Sequence, residues 1–219
     1  MNWRAWWLAG VCAAVLPWTA AAASADISVT GETAVWSNGN PAAMSRVNAQ
    51  LAQMIAEQQT HAMEMDAAYQ ETVAEYPDVP VYVYHSEIKP VAETDRYLVM
   101  MQRCDSYMGG PHGDYSEDYF VFDKRTGERV TVSELAGESS RTLYPKLQAV
   151  VERELRERIW GDTDFWDDFL SELFAPEREL NYTILPDGRI ELVFNPYEVA
   201  AYAYGIVRIP VPRETVSVR

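Results

Sequence analysis

Hydrophobic positions change their period along the chain, and each change marks an element. Asp26 to Trp36 alternates through Ile27 and Val29 and predicts a first strand. Ser37-Asn38-Gly39-Asn40 is a turn cluster. Asn40 before Pro41 is a helix cap with proline at the first helical position. Met44, Val47, Leu51, Met54, Ile55, Gln58, Ala62, Met65 and Tyr69 then fall three or four apart. That spacing lays them on one stripe of a long amphipathic helix. A methionine-rich stripe can form a soft binding groove, but core packing is the expectation here. The helix should stop before Tyr76-Pro77, because a residue preceding proline avoids helical geometry.

Beyond the helix the period falls to two. Val81 to Lys89, between Pro80 and Pro90, predicts a strand. Glu93-Thr94-Asp95 turns the chain, and Tyr97 to Met101 returns as its hairpin partner. A loop spans Ser106 to Tyr115. Glu117–Phe122 and Glu128–Val132 form the next hairpin around Asp123-Lys124-Arg125-Thr126-Gly127. Ser133 should cap a short helical turn, with Glu134 favourably placed for its dipole. Leu143, Leu147, Val150, Val151, Leu155 and Ile159 mark a second helix that Gly161 stops. A third segment, Phe165 to Phe174, is capped by Asp162 or Thr163 and ended by Pro176. Leu180–Leu185 and Arg189–Phe194 flank the turn Pro186-Asp187-Gly188, and Ile206–Val211 is a last strand. Strands arrive in hairpins and helices in blocks. The expected class is therefore α+β, with antiparallel sheets from hairpins packed against a long amino-terminal helix and a second helical pair. An organisational boundary is expected near the glycine loop, dividing residues 26–106 from residues 107–219.

Composition narrows the function. The 219 residues carry 18 Lys+Arg against 33 Asp+Glu, a formal net charge of −15. That balance excludes phosphate-backbone binding and disfavours anionic membrane surfaces. Residues 1–25 have the form of an export signal. Arg4 supplies the positive start, Trp6 to Leu16 the apolar run, and Ala23 and Ala25 an A-x-A cleavage site. The run is too short to span a bilayer. Val11 before Cys12 is not the small residue that lipid attachment requires. Removing this segment takes away one positive charge, so the mature chain carries 17 − 33 = −16 and Cys104 is its lone thiol. A periplasmic or secreted location by a Sec-type signal follows as an expectation. No stable membrane insertion is expected.

Candidate chemistry concentrates in two loops. Gly109-Gly110-Pro111-His112-Gly113 sits between Tyr107 and Tyr115. It is either a recognition loop or a conformationally demanding connection with an exposed histidine. Pro196, Tyr197, Tyr202 and Tyr204 form a second aromatic loop, which either lines a binding surface or closes the core. His85, Cys104, His112 and Asp114 could meet at a metal, but none shows a diagnostic ligand spacing. A Cys104–His112 nucleophilic pair is equally unsupported by spacing. No metal or other cofactor is expected. Asp162 to Asp168 is an acidic, aromatic cluster. It suits a helix start better than paired catalytic carboxylates such as Asp164 and Asp167.

The order of these motifs resembles a known family. Tyr107, Gly109-Gly110-Pro111-His112-Gly113, Phe120-Val121-Phe122-Asp123, Thr126-Gly127 and Val130-Thr131-Val132-Ser133-Glu134-Leu135 follow one another. Phe194, Pro196-Tyr197-Glu198-Val199-Ala200, Tyr202-Ala203, Gly205 and Ile209-Pro210 come later, and the long helix carries Asn48. This arrangement resembles the extracytoplasmic region of the RsiV family of lysozyme-sensing anti-sigma factors. It also resembles the module preceding the deacetylase domain of PdaC. Pro111 stands where that family has alanine, and Ala201 where it has a second proline. No sigma-binding segment, transmembrane helix or deacetylase domain is expected, so neither of those activities carries over.

The resemblance implies a non-catalytic periplasmic or secreted binding module. Its contacts would be Tyr107, Gly109, Gly110, His112, Gly113, Tyr115, Pro196, Tyr197, Tyr202 and Tyr204. The expected partner is a basic protein such as lysozyme, or peptidoglycan fragments, with no role for nucleic acid. Two alternatives stand beside it. One is a hydrolase acting on peptidoglycan, with Asp164 and Asp167 or the His112/Asp114 pair as its acid and base. The other is a structural envelope protein.

Overall fold

The computed structural model describes residues 24–36, 40–161 and 167–216. Residues 1–23 of the expected export signal, the turn at 37–39 and most of the acidic cluster, Asp162 to Trp166, lie outside these residues. Strand β1 (Asp26–Gly31) leads into α1 (Pro41–Glu75), β2 (Val83–Glu93), β3 (Tyr97–Tyr107) and β4 (Asp114–Asp123). Then come α2 (Val132–Ala136), α3 (Ser140–Leu155), α4 (Asp167–Leu173), β5 (Tyr182–Ile184), β6 (Ile190–Phe194) and β7 (Val207–Pro210). The strands form two sheets, ordered β1-β2-β3-β4 and β5-β6-β7. The class is α+β, as the pattern predicts.

Local signals placed the long helix correctly. The Asn40 side chain accepts from the Ala42 N–H at 2.9 Å, Pro41 opens the helix, and the helix ends at Glu75, with Tyr76 as its cap before Pro77. Its stripe seats Ala43, Val47 and Leu51 against Ile88, Leu98, Met100 and Phe122. Met44 and Met54 pack against this cluster, so these two methionines serve the core. Asn48 grips the incoming chain from both sides. Its carbonyl oxygen accepts from the Ala34 N–H at 2.7 Å, and its amide donates to the Ala34 C=O at 3.1 Å.

Several expected boundaries are corrected. The first strand ends at Gly31, not Trp36, and it joins β2 in parallel rather than within a hairpin. The intervening α1 is the crossover that a parallel pair requires. Strand β2 continues through Pro90. The ladder with β1 stops at Ile88, and the register with β3 shifts between Pro90 and Ala92, so the missing N–H breaks no regular pairing. Strands β3 and β4 run on to Tyr107 and back from Asp114, which shrinks the expected loop to a hairpin tip. Glu128–Val132 makes only one bridge, Phe122 to Arg129, and no strand. Thr131, not Ser133, caps α2. Thr131 and Glu134 form a reciprocal capping box that pulls this segment into helix. After Leu155 the second helix finishes in a π-helical turn, Arg156–Trp160.

The first sheet has a layer on each face. Helix α1 covers one. Tyr97, Val99, Met101, Tyr119 and Val121 point the other way, into a core shared with α2, α3, α4 and the second sheet. The expected boundary falls at the end of β3, and β4 beyond it pairs with that strand from Tyr97 to Ser106. Two asparagines stitch the sheets together along the outer edge of β4. Asn181 accepts from the Tyr119 N–H at 2.9 Å and donates to the Glu117 C=O at 2.6 Å, while Asn195 accepts from the Glu117 N–H at 2.8 Å. Side-chain amides thus satisfy edge groups that a further strand would otherwise pair. Among the described residues, no helix is long and apolar enough to cross a membrane.

Candidate functional site

The β3–β4 hairpin and the segment after β6 bring both aromatic loops to one place. Gly109 and Gly110 take φ of 85° and 106°, angles that make so tight a tip accessible chiefly to glycine. Tyr107 donates its hydroxyl to the Gly110 C=O at 3.2 Å and braces the tip. At Gly113 a side chain would collide with the Ser106 carbonyl oxygen, at 2.7 Å from an added Cβ. The hairpin therefore closes tightly and projects His112 sideways.

His112 meets the second loop. Its ring stacks on Tyr202 with centroids 4.0 Å apart and planes 22° from parallel. The Tyr202 hydroxyl donates to the Gly113 C=O at 2.8 Å, and His112 Nε2 lies 3.4 Å from the Tyr197 hydroxyl. Tyr197 tilts against Tyr202 at 5.7 Å, and Tyr115 meets the same ring edge-on at 5.8 Å. Tyr197 and Tyr204 remain 54% and 55% exposed. The sequence-predicted residues His112, Gly113, Tyr115, Tyr197 and Tyr202 are thus in mutual contact. Tyr107, Gly109 and Gly110 brace the hairpin side, while Pro196 and Tyr204 flank the cluster on the second loop.

Residues outside the ten expected contacts hold this surface in place. Asn195 anchors the start of the second loop to β4. Glu198 accepts from the Asn195 backbone N–H at 2.6 Å. The Trp160 indole donates to the Val199 C=O at 2.8 Å, which fixes the loop over the core through buried Val199 and Ala200. Single asparagine, glutamate and tryptophan residues carry no spacing that would have revealed these roles.

The electrostatic surroundings are acidic but organised. Arg103 chelates Asp105 at 2.8 and 2.9 Å, reaches Glu117 at 3.2 Å, and its guanidinium lies over the Tyr115 ring, 5.7 Å from the centroid. Arg208 pairs with Glu117 and Glu191 and donates to the Tyr119 hydroxyl. Burial raises the carboxyl pKa values of Asp118 and Glu198, and the Asp118 charge pushes Glu198 further the same way. Asp118 is held only loosely, at 3.4 Å from the Asn195 amide and 3.5 Å from Ser116 Oγ.

Both histidines among the candidate metal and nucleophile residues have partners outside that set. His85 pairs with Asp26 at 3.2 Å, and His112 is committed to the tyrosine cluster. Burial raises the Cys104 thiol pKa, against the opposing effect of its hydrogen bond with Tyr84. Among the described residues, no group of three or more His, Cys, Asp or Glu could hold a metal ion.

Residues 138–214 match the sequence profile of a family described as "Protein of unknown function (DUF3298)". The match takes in the second aromatic loop and not the glycine hairpin. A member of that family from Bacteroides fragilis has a solved structure that is 20% identical, with a TM-score of 0.51 over 76% of this chain and 66% of that one. A DUF3298 family protein from Pseudomonas aeruginosa PAO1 is 15% identical, with a TM-score of 0.48 over 68% of this chain and 66% of that one. The chain therefore spans just under two thirds of the length of each. No curated protein matches it.

Proposed function

We propose that this protein is a non-catalytic extracytoplasmic binding module that docks a basic protein of the lysozyme kind on its paired aromatic loops. One observation carries the reading. Two loops about eighty-five residues apart converge so that Tyr197, Tyr202, Tyr115 and His112 form one aromatic surface with an exposed rim. Tyrosine suits such a role because it offers rigid contact area with a polar tip. The resemblance of both loops to the RsiV family supplies the choice of lysozyme. The charge of −16 on the mature chain supports it, since an acidic surface attracts a cationic partner and speeds encounter.

Calorimetric titration of the mature protein with lysozyme tests the proposal. At low salt, binding is expected, and rising ionic strength should weaken it. Tyr197→Ala should lower affinity by about tenfold or more, as loss of a central tyrosine does at interfaces. No heat of binding at low salt, together with no inhibition of wall lysis, overturns the reading. Purified wall fragments should emerge unchanged from incubation with the wild type. Cleavage that His112→Ala abolishes would instead establish the hydrolase.

A further inference from the structure

A concave site lies between α1 and the β4 side of the first sheet, and it shares no residue with the aromatic loops. It is a cleft of about 280 Å³. Gln50, Gln53 and Glu57 form its helical wall, Gln102 and Phe120 belong to its sheet side, and Arg129 stands at the end of the sheet. The walls follow from period and register. Spacings of three and four make Gln50, Gln53 and Glu57 a polar ridge beside the apolar stripe of Val47 and Leu51. On the strands, Gln102 pairs with Asp118 and Met100 with Phe120, so Gln102 and Phe120 are diagonal neighbours on the helix-facing side.

The chemistry of this lining selects a ligand class. Gln50 spends its amide N–H groups on the carbonyls of Gly127 at 2.9 Å and Arg46 at 3.2 Å, which leaves its carbonyl oxygen to accept. Gln53 donates to Glu57 at 2.9 Å, which leaves the second carboxylate oxygen as an acceptor. The Gln102 amide meets no hydrogen-bond partner among the described residues and offers both a donor and an acceptor. Arg129 is matched by Glu179 at 3.0 Å and lies over the Phe120 ring at 4.5 Å. Its charge is therefore answered within the protein. The Glu57 carboxylate has the neutral Gln53 amide beside it and no cation paired with it among the described residues, so it repels an anion and accepts from a hydroxyl. Acceptors from Gln50, Glu57 and Gln102, with a donor from Gln102, beside an aromatic ring suit a molecule that carries no negative charge, whose hydroxyls both give and accept hydrogen bonds and whose C–H face is apolar. The volume falls just below the range of pockets that enclose drug-sized ligands, enough for one ring and not for a chain of them.

We infer that this cleft binds a single neutral sugar ring, independently of the protein-docking surface formed by the aromatic loops. Titration of the ¹⁵N-labelled mature protein with glucose and, separately, N-acetylglucosamine tests the inference. Saturable backbone shifts are expected in the segments around Gln50–Glu57, Gln102 and Phe120, with affinity of about millimolar order. Gln102→Leu fills the same space without hydrogen-bonding groups. It should lower affinity by about tenfold or more while leaving lysozyme titration and the melting temperature unchanged. Phe120→Ala should abolish the shifts. The inference is overturned if neither sugar gives saturable shifts, if Gln102→Leu binds as the wild type does, or if the shifts map to Tyr197 and Tyr202 instead. Because lysozyme binding is read separately, failure at one site leaves the other standing.

Discussion

Tyr197 holds a left-handed backbone, φ 71°, that bulky residues rarely adopt. Its N–H donates to the Ala200 C=O at 3.2 Å, and the turn this closes aims the ring at His112 and Tyr202. Such strain costs on the order of 1–3 kcal/mol and collects where a side chain must point in one direction. With the ring half exposed, little burial offsets it. Tyr197→Asn, which tolerates this φ, should therefore raise the unfolding free energy by about 1 kcal/mol in urea denaturation. A marked loss of stability would mean that the ring contacts outweigh the strain. Opposite effects on stability and on lysozyme affinity would identify Tyr197 as a contact kept for binding.

Among the elements, β4 organises the molecule, because both cores and both stitching asparagines meet it. Asp123 terminates it. The side chain is 7% exposed and receives Arg96 at 3.0 Å, Arg125 at 3.1 Å and the Arg125 N–H at 2.8 Å. Burial alone would raise its pKa, but these donors more than offset that and hold the carboxyl at about 2. The folded value lies below the unfolded one. The stabilisation is therefore complete above the ordinary carboxylate range and is lost as pH falls from about 4 through about 2. Asp123→Asn should cost about 2 kcal/mol at neutral pH, and the difference from wild type should shrink near pH 3, both read from urea denaturation. A cost that does not change with pH would assign the effect to hydrogen-bond geometry and not to charge.

Across the whole molecule, the excess of 15 negative charges sets a repulsion that opposes compaction. Screening relieves it. Raising salt from about 10 mM to about 150 mM shortens the Debye length from about 30 Å to about 8 Å, and the melting temperature should rise by a few degrees. A fall in scanning calorimetry would show that the ion pairs of Arg103 and Arg208 matter more than the net repulsion. The same screening should slow capture of a basic partner, so salt should affect stability and association in opposite directions.

The residues legible in sequence are those whose partners lie nearby along the chain. Asn40 and Pro41 start α1, Pro77 lies just beyond its end, the Leu143-to-Leu155 stripe predicts α3, and Pro186-Asp187-Gly188 predicts the turn between β5 and β6. Capping, turn geometry and helical period act over a few residues, so local pattern determines them. The extent of β3 and β4 was not legible, because beyond Met101 polar residues occupy both faces and blur the alternation. The parallel entry of β1 was equally hidden, since it depends on where a 35-residue helix returns the chain. The aromatic loops could be named from sequence, but their contact could not be derived from it. That contact rests on Asn181 and Asn195 bonding β4 from more than sixty residues away and on Trp160 holding Val199. The cleft beside α1 likewise exists only because Gln102 and Phe120 meet a helix wall that ends nearly fifty residues earlier in the chain. Sequence by itself determined most of the elements, the acidity and the candidate loop residues. Tertiary structure alone decided which of them form a surface, because long-range register is set by packing and by bonds that no local pattern encodes.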